Sequence, residues 1–393
     1  MRILHTADWH IGQTFFDHDR REEHRFFLSW LKEQVKAHSV DLLLISGDVF
    51  DTPNPSAASQ QIYYRFLRDV TAENPALQVI VIAGNHDSAA RLEAPAPLLQ
   101  EHRITVRGRV RRLENGDIDL EHLMVPLDKG GLCLAVPYLR QGDYPPANSY
   151  PLGVQRMYEV LCQQIREIEG PVIAMGHLQV AGGSASEKDR SERLIMGGLE
   201  AVSFFAFPEL LTYTALGHLH RAQSVGRDTI RYAGAPLPMS FSEKNYRRGV
   251  VLVEIAKSVT VGLLPFDAPA PLWSIPEQPL PSEEVLRAIA QLPEGEWNAF
   301  SPFVEIKVRI SGPEPSLRYR VEEALQGKAV RLAKITPEYP EKAYRKKLLT
   351  YEEIRAVDPM QIATDHYRAN FGGEEMPQPM RKLLQKVIEE ARS

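Results

Sequence analysis

The chain has 393 residues, of which 44% are hydrophobic and 25% charged, with a formal net charge of −5. That balance leaves room for a real core and predicts one large domain plus something smaller. No apolar run reaches the length of a membrane span, the two cysteines (Cys133 and Cys162) sit in contexts too unrelated for a disulfide framework, and the acidic excess argues against wholesale coating of nucleic acid while permitting a local basic track beside an acidic metal site.

The N-terminus, MRILHTADWH, enters an apolar strand directly, with no signal-peptide pattern, so the expected compartment is the cytoplasm. RILHT reads as a strand. His24, Phe27, Leu28, Leu31 and Val35 follow at helical spacing. DLLLIS is a second strand running into Gly47-Asp48, Ser56 to Val70 a second helix, and QVIVIA a third strand. Near-continuous apolar strands alternating with helices predict parallel pairing with both faces covered. Residues 104–112 alternate, with Ile104, Val106, Gly108 and Val110 on one face and Arg107, Arg109 and Arg111 on the other. GLCLAVPY is another strand, a helix follows near Val154 to Ile168, and PVIAM and LTYTAL are strands ending at Gly176-His177 and Gly217-His218. TIRYAGAP, GVVLVEI and SVTVGLL predict a run of antiparallel strands.

Residues 266–282, FDAPAPLWSIPEQPLPS, are proline-rich and read as a linker between a domain at 1–265 and a capping domain at 283–345. In the latter, FVEIKVRI, SLRYRVEEALQG and AVRLAKITPEY predict a β-α-β unit, with Gly327 suited to a left-handed helix cap. The remaining 346–393 reads as helical. Met380, Leu383, Leu384, Val387, Ile388 and Ala391 form an amphipathic stripe, preceded by a second apolar set of Met360, Ala363, Tyr367 and Phe371.

Five polar clusters each follow an apolar strand: Asp8-Trp9-His10, Gly47-Asp48, Gly84-Asn85-His86-Asp87, Gly176-His177 and Gly217-His218-Leu219-His220. Ligands of α/β sheets collect at the carboxyl ends of strands, so these side chains can converge. Two carboxylates, an amide oxygen and four imidazoles suffice for two neighbouring divalent sites. Mixed nitrogen and oxygen donors suit Mn²⁺, Fe²⁺ or Zn²⁺ better than Mg²⁺ or Ca²⁺. A carboxylate with two oxygens bridges such a pair best, and Asp48 is the candidate bridge. Two metals would activate a shared water and clamp a phosphate, leaving a histidine to protonate the leaving oxygen.

In this order, D-x-H, GD, GNHD, GH and GHxH resemble the signature of the calcineurin-like metallophosphoesterases. The closer wording of ILHTADWHIGQ, ISGDVFDTPNPS, VIAGNHDS and ALGHLHRAQ is similar to the bacterial branch of the double-strand-break nucleases within them. The likeness is strong through about residue 255. It implies an α/β fold: a two-sheet metallophosphoesterase sandwich with a small α+β capping domain and C-terminal helices. It implies one metal on Asp8, His10, Asp48 and His220, and another on Asp48, Asn85, His177 and His218, with Mn²⁺ the expected ion. His86 would be the catalytic acid, and Asp87 would orient the turn or that histidine. Where archaeal and eukaryotic relatives carry a histidine three residues after the bridging aspartate, this chain has Asp51. The resemblance also implies DNA as substrate, a homodimer within a heterotetramer, and an ATPase with a long coiled coil docked on the C-terminal helices. The chain itself carries no GxxxxGK[ST] phosphate loop.

Plainer readings compete at several places. His5, His24, His38, His102, His122 and His366 lack the strand-end context and read as structural or surface groups. The arginine face could track a DNA backbone, but a charged edge strand that discourages aggregation is favoured. Tyr63, Phe66 and Leu67 read as core in preference to a dimer contact. The GGSASEKDRSERLIMGG loop could line a substrate path, although long surface loops need no function. Rival functions are a phosphodiesterase acting on small nucleotides, which the added domain and C-terminal helices disfavour, and a non-catalytic scaffold, which the complete donor set disfavours.

Overall fold

The computed structural model describes residues 1–165, 168–183, 201–312, 314–339, 360–361, 363–364, 367 and 375–392. The first half runs β1 (Arg2–Thr6), a short hairpin of β2 (Thr14–Phe15) and β3 (His18–Asp19), α1 (Arg21–Ala37), β4 (Leu42–Ser46), α2 (Ala57–Glu73), β5 (Gln78–Ile82), α3 (Ala89–Glu93), α4 (Ala96–Gln100) and β6 (Ile104–Arg107). Then come α5 (Leu120–Leu123), β7 (Met124–Pro126), β8 (Leu132–Ala135), α6 (Tyr150–Gln164), β9 (Val172–His177), β10 (Tyr213–Gly217), β11 (Gln223–Val225), β12 (Arg227–Tyr232), β13 (Gly249–Ile255) and β14 (Val259–Pro265).

Apart from the β2-β3 hairpin, these strands form two six-stranded sheets, ordered β14-β13-β1-β4-β5-β6 and β11-β12-β10-β9-β8-β7. Strand alternation explains how they pack. Leu42 and Leu44 of β4 face the second sheet and meet Ile173 and Ala215, whereas Leu43 and Ile45 face Phe27, Leu31, Tyr63 and Leu67 of α1 and α2. On the far side, Met157, Tyr158 and Leu161 of α6 cover Leu134, Ala174 and Leu216. The result is a four-layer helix-sheet-sheet-helix sandwich whose apolar strands are buried on both faces. Tyr63, Phe66 and Leu67 are core, as read from the sequence. Ser56 caps α2, its hydroxyl accepting from the Ser59 amide at 3.1 Å.

The predicted parallel pairing holds for β1, β4, β5 and β6. The predicted antiparallel run after residue 228 does not hold as a unit. β12 lies parallel to β10 and takes β11 as its antiparallel partner, while β13 and β14 cross to the first sheet, where β13 pairs antiparallel with β1. The alternating stretch at 104–112 is a strand only over Ile104–Arg107. Arg109 and Arg111 both leave the ladder to pair with the buried carboxylate of Glu93, at 3.0 and 2.9 Å, and His122 joins them at 3.2 Å. The arginine row is thus anchored internally, which favours the structural reading of it.

The proline-rich 266–282 segment is not a simple linker. Leu272–Pro281 forms β15, the edge of a three-stranded parallel sheet with β16 (Phe303–Arg309) and β17 (Arg331–Glu338). Prolines are tolerated because an edge strand has donors with no ladder to serve, and the register shifts between Ile275 and Leu280. Helices α7 (Ser282–Ala290) and α8 (Leu317–Ala324) cover this sheet, with Val285, Ile289 and Val321 packed on Val304, Ile306 and Val308. Gly327 does adopt the left-handed conformation, at φ +72. The small layer leans on the large one through Phe15, Phe241 and Phe303. Arg331, itself buried, lies 3.6 Å over the Phe303 ring and 3.5 Å from Glu23 of α1.

Residues Met1–Glu338 form one compact unit and Tyr339–Ser393 another. In the second, Gln378–Arg392 is helical, with Met380, Leu383 and Val387 exposed. Phe371, His366, the 184–198 part of the polar loop and the expected boundary at 345/346 lie outside the described residues. Among the described residues no helix is long and apolar enough to cross a membrane.

Candidate metal centre

Every one of the five clusters stands at the carboxyl end of a strand, β1, β4, β5, β9 and β10, and the sandwich brings all five to one rim. The turns are sewn together by main-chain hydrogen bonds from Asp8 to Gly47 and from His10 to Asp48, both 3.0 Å. Asp8, His10, Asp48 and His218 all take positive φ, of 55, 47, 49 and 102. Non-glycine residues held in this region are strained, and such strain gathers at functional sites. The packing leaves no space for larger residues in the turns. A Cβ on Gly84 would lie 2.1 Å from Asp48 Oδ1, and one on Gly47 would lie 2.3 Å from His177 Nδ1.

Asn85 stands at the centre of one group. Its Oδ1 lies 3.0 Å from His177 Nε2 and 3.1 Å from His218 Nδ1. His177 Nδ1–H donates to the Ser46 carbonyl at 2.8 Å, so its Nε2 is turned into the site. That nitrogen is 3.2 Å from Asp48 Oδ2. A second group joins Asp8, His10 and His220, whose donor atoms lie within 4.8 Å of one another. Asp8 Oδ1 accepts from the His218 amide at 2.9 Å. Asp8 Oδ2 and both ring nitrogens of His10 are buried without a hydrogen-bond partner among the described residues. Buried polar atoms are rarely left this way unless an ion or water completes them.

Asp48 lies between the two groups. Its Oδ1 accepts from the His86 amide at 2.8 Å, leaving Oδ2 to face both His177, at 3.2 Å, and His10, at 3.7 Å. A single oxygen therefore points at both groups. His86 Nδ1–H donates to the Asp51 carbonyl at 2.9 Å, which turns Nε2 toward the pocket. His86 also falls in a donor cluster with His10 and Asp48. Asp51 has two contacts in the site, since its Oδ1 lies 3.3 Å from His10 Nδ1. Asp87 does not hold His86. Its carboxylate accepts from the amides of Gly84 (2.9 Å), Phe50 (2.9 Å) and Val49 (3.2 Å), so it ties the β5 turn to the β4 turn.

Burial and mutual pairing push the groups of the site in opposite directions. Burial works against the charged form of Asp48, yet His177 and its neighbours hold its carboxyl well below the usual range. Burial likewise opposes charge on His177, but the Asp48 carboxylate outweighs it and lifts the imidazole to about 9. His218 goes the other way, to about 3, because it is buried and then repelled by His177. Asp87 rises to about 6 through burial and repulsion by Asp48, against the pull of its three amides. The site opens as a pocket of about 210 Å³, with Gln13, Thr14 and Met239 beside the polar cluster.

All seven candidate ligands and His86 are thus brought together. His5 and His24 are buried and stay out of the cluster. His5 Nδ1 meets the Tyr213 hydroxyl at 2.9 Å, and the His24 ring lies between the Arg20 and Trp9 carbonyls. One residue escaped the sequence reading. Glu243, from the 3-10 turn Phe241–Glu243, places Oε1 3.1 Å from His220 Nδ1. Burial opposes its charge, but His220 and then Arg248 hold its carboxyl at about 2. It follows no strand and belongs to no recognisable motif, so no local signal marks it.

Residues 1–222 match the family model of the calcineurin-like phosphoesterases, and residues 269–371 that of the type 5 capsule protein repressor C-terminal domain. A Rhodobacter capsulatus protein named as the SbcD component of nuclease SbcCD is 39% identical over 87% of this chain and 89% of its own length. Proteins of the same name from Escherichia coli K12 and Bacillus subtilis 168 are each 33% identical. They cover 64% and 65% of this chain, and 64% and 66% of their own lengths.

Proposed function

The chain belongs to the calcineurin-like phosphoesterase family, among proteins named as the SbcD component of nuclease SbcCD, and on that footing we propose that it is a divalent-metal-dependent DNA nuclease acting in DNA repair and recombination. The observation that carries the reading is the completeness of the donor set. Asp8, His10, Asp48, Asn85, His177, His218 and His220 meet at one rim, where Asp8 Oδ2 and His10 Nε2 are buried without a hydrogen-bond partner among the described residues.

One ion would be held by Asp8, His10, Asp48 and His220, the other by Asp48, Asn85, His177 and His218. The mixture of imidazole and oxygen donors suits Mn²⁺. When bound, such a pair supplies Lewis acidity to a phosphodiester and a water acidic enough to attack it. The chain's own residues do the rest. Ser46 fixes the His177 tautomer from behind, and Asp51 does the same for His86. With Nδ1 engaged, His86 presents Nε2 to the pocket, where a proton can pass to the departing oxygen. Because the His86 amide also binds Asp48 Oδ1, the proton donor and the shared carboxylate keep a fixed separation.

An SbcC-like coiled-coil ATPase is the proposed partner, supported by the name of the relatives, which makes them one component of SbcCD, and by the exposed stripe of Met380, Leu383 and Val387. A homodimer within a heterotetramer, located in the cytoplasm, completes the reading. The test is cleavage of linear and hairpin DNA by the purified protein across several divalent metals, with and without the ATPase. Cleavage with Mn²⁺ that stops with EDTA supports the reading. Activity confined to small phosphoesters rejects the nuclease and leaves a phosphodiesterase.

A further inference from the structure

We propose that Glu243 is a positioning residue for His220, setting the tautomer and aim of that imidazole toward one of the two divalent ions; the proposal rests on the metal reading of the site. An imidazole can ligate through either nitrogen, and the hydrogen bond at the other decides which. His220 Nδ1 lies 3.1 Å from Glu243 Oε1. A carboxylate can only accept, so Nδ1 carries the proton and Nε2 carries the lone pair. The same contact makes Nε2 a stronger donor.

Glu243 is itself held too firmly to adapt. The carboxylate is fully buried, and its other oxygen accepts from Arg248 Nη2 at 3.0 Å and from the Met239 amide at 3.1 Å. Arg248 is fixed in turn by the carbonyls of Ala235 and Glu243, both at 2.9 Å. His177 and His86 have their Nδ1 set by main-chain carbonyls. Among these three rings, His220 alone is set by a charged side chain. The rival role for Glu243 is purely structural, as the counter-ion that allows Arg248 to be buried.

Mn²⁺ titration of the full-length protein by calorimetry separates the two, with thermal melting run in parallel. Wild type should bind two equivalents. Glu243→Gln should weaken one of them by about 10- to 100-fold and leave the other unchanged. In a His220→Ala background, Glu243→Gln should cause no further loss. Should Glu243→Gln fail to fold, Glu243→Gln with Arg248→Met removes the buried charge pair together and should show the same weakened equivalent. The proposal is overturned if either variant binds both equivalents as wild type does, or if the loss is equally large without His220. Wild type that binds no Mn²⁺ would instead reject the metal centre itself.

Discussion

The backbone amide of His86 donates to Oδ1 of Asp48 across 2.8 Å, so the proposed proton donor is built onto the carboxylate proposed to be shared by both ions. The bond uses the main chain and leaves the imidazole out of it. His86→Ser therefore keeps the amide, and with it the orientation of Asp48. Metal content, read by anomalous scattering or elemental analysis, should stay at two ions, while DNA cleavage should fall by about 10²- to 10⁴-fold. Loss of an ion in this variant would make His86 a ligand.

Asp87 gives a prediction about stability. Its carboxylate collects three buried amides, from Gly84, Phe50 and Val49. Asn at this position offers one acceptor oxygen, so at least one amide loses its partner. Asp87→Asn should destabilise the fold by about 1–3 kcal/mol in urea denaturation. An unchanged midpoint would mean that the two turns hold each other without it.

Acid should weaken the metal-free protein through His5 and His24. Burial lowers His5 to about 3 and His24 to about 4, from an ordinary value of 6.5. The unfolded chain then binds more protons than the folded one throughout that interval. The stabilisation is complete above about 6.5 and is lost as pH falls through about 4 and then 3. In EDTA, the urea midpoint should drop between pH 7 and pH 4. His5→Gln should reduce the drop, and an equal drop would exclude His5 as a contributor.

Arg331 should matter to the joint between the small sheet and the sandwich. It stacks on Phe303 and meets Glu23, which Arg20 also binds at 2.8 Å. Arg331→Met removes the charge and keeps the apolar stem. Glu23 retains one partner, so the loss should be about 2–3 kcal/mol, below that of a fully stranded buried carboxylate. Chemical denaturation measures it, and a neutral result would leave the aromatic cluster as the joint.

The exposed C-terminal stripe can be tested without truncation. Leu383→Glu with Val387→Glu places charge on the apolar face of Gln378–Arg392. Nuclease activity of the isolated chain should be unchanged, and co-purification with an SbcC-like ATPase should be abolished. Retained co-purification would move the docking site elsewhere.

The residues that could be read from sequence share one property: each sits just past an apolar strand, beside a glycine or in a short D-x-H turn. Strand ends are local signals, and topology alone brings them together, so Asp8, Asp48 and His218 were visible although far apart in the chain. Glu243 was not, because it meets His220 through tertiary packing from a three-residue turn. Asp51 was visible as a departure from a pattern, but its contact with His86 is made by a backbone carbonyl, which no side-chain pattern encodes. The prolines of β15 misled for a physical reason. They forbid a central strand and are harmless at an edge, and edge position is a property of the assembled sheet.

The turn Phe241–Glu243 joins two parts of the molecule. Phe241 packs with Phe15 and Phe303 where the small sheet meets the sandwich, and two residues later Glu243 meets His220. Both lie between the two family-model matches, which end at residue 222 and resume at residue 269. A chain trimmed at 222 would therefore carry every candidate ligand and yet lack the carboxylate that aims one of them, along with β13, one of the two strands that flank β1. An inventory of ligands would score such a fragment as a whole active centre, although part of the frame that holds it would be missing.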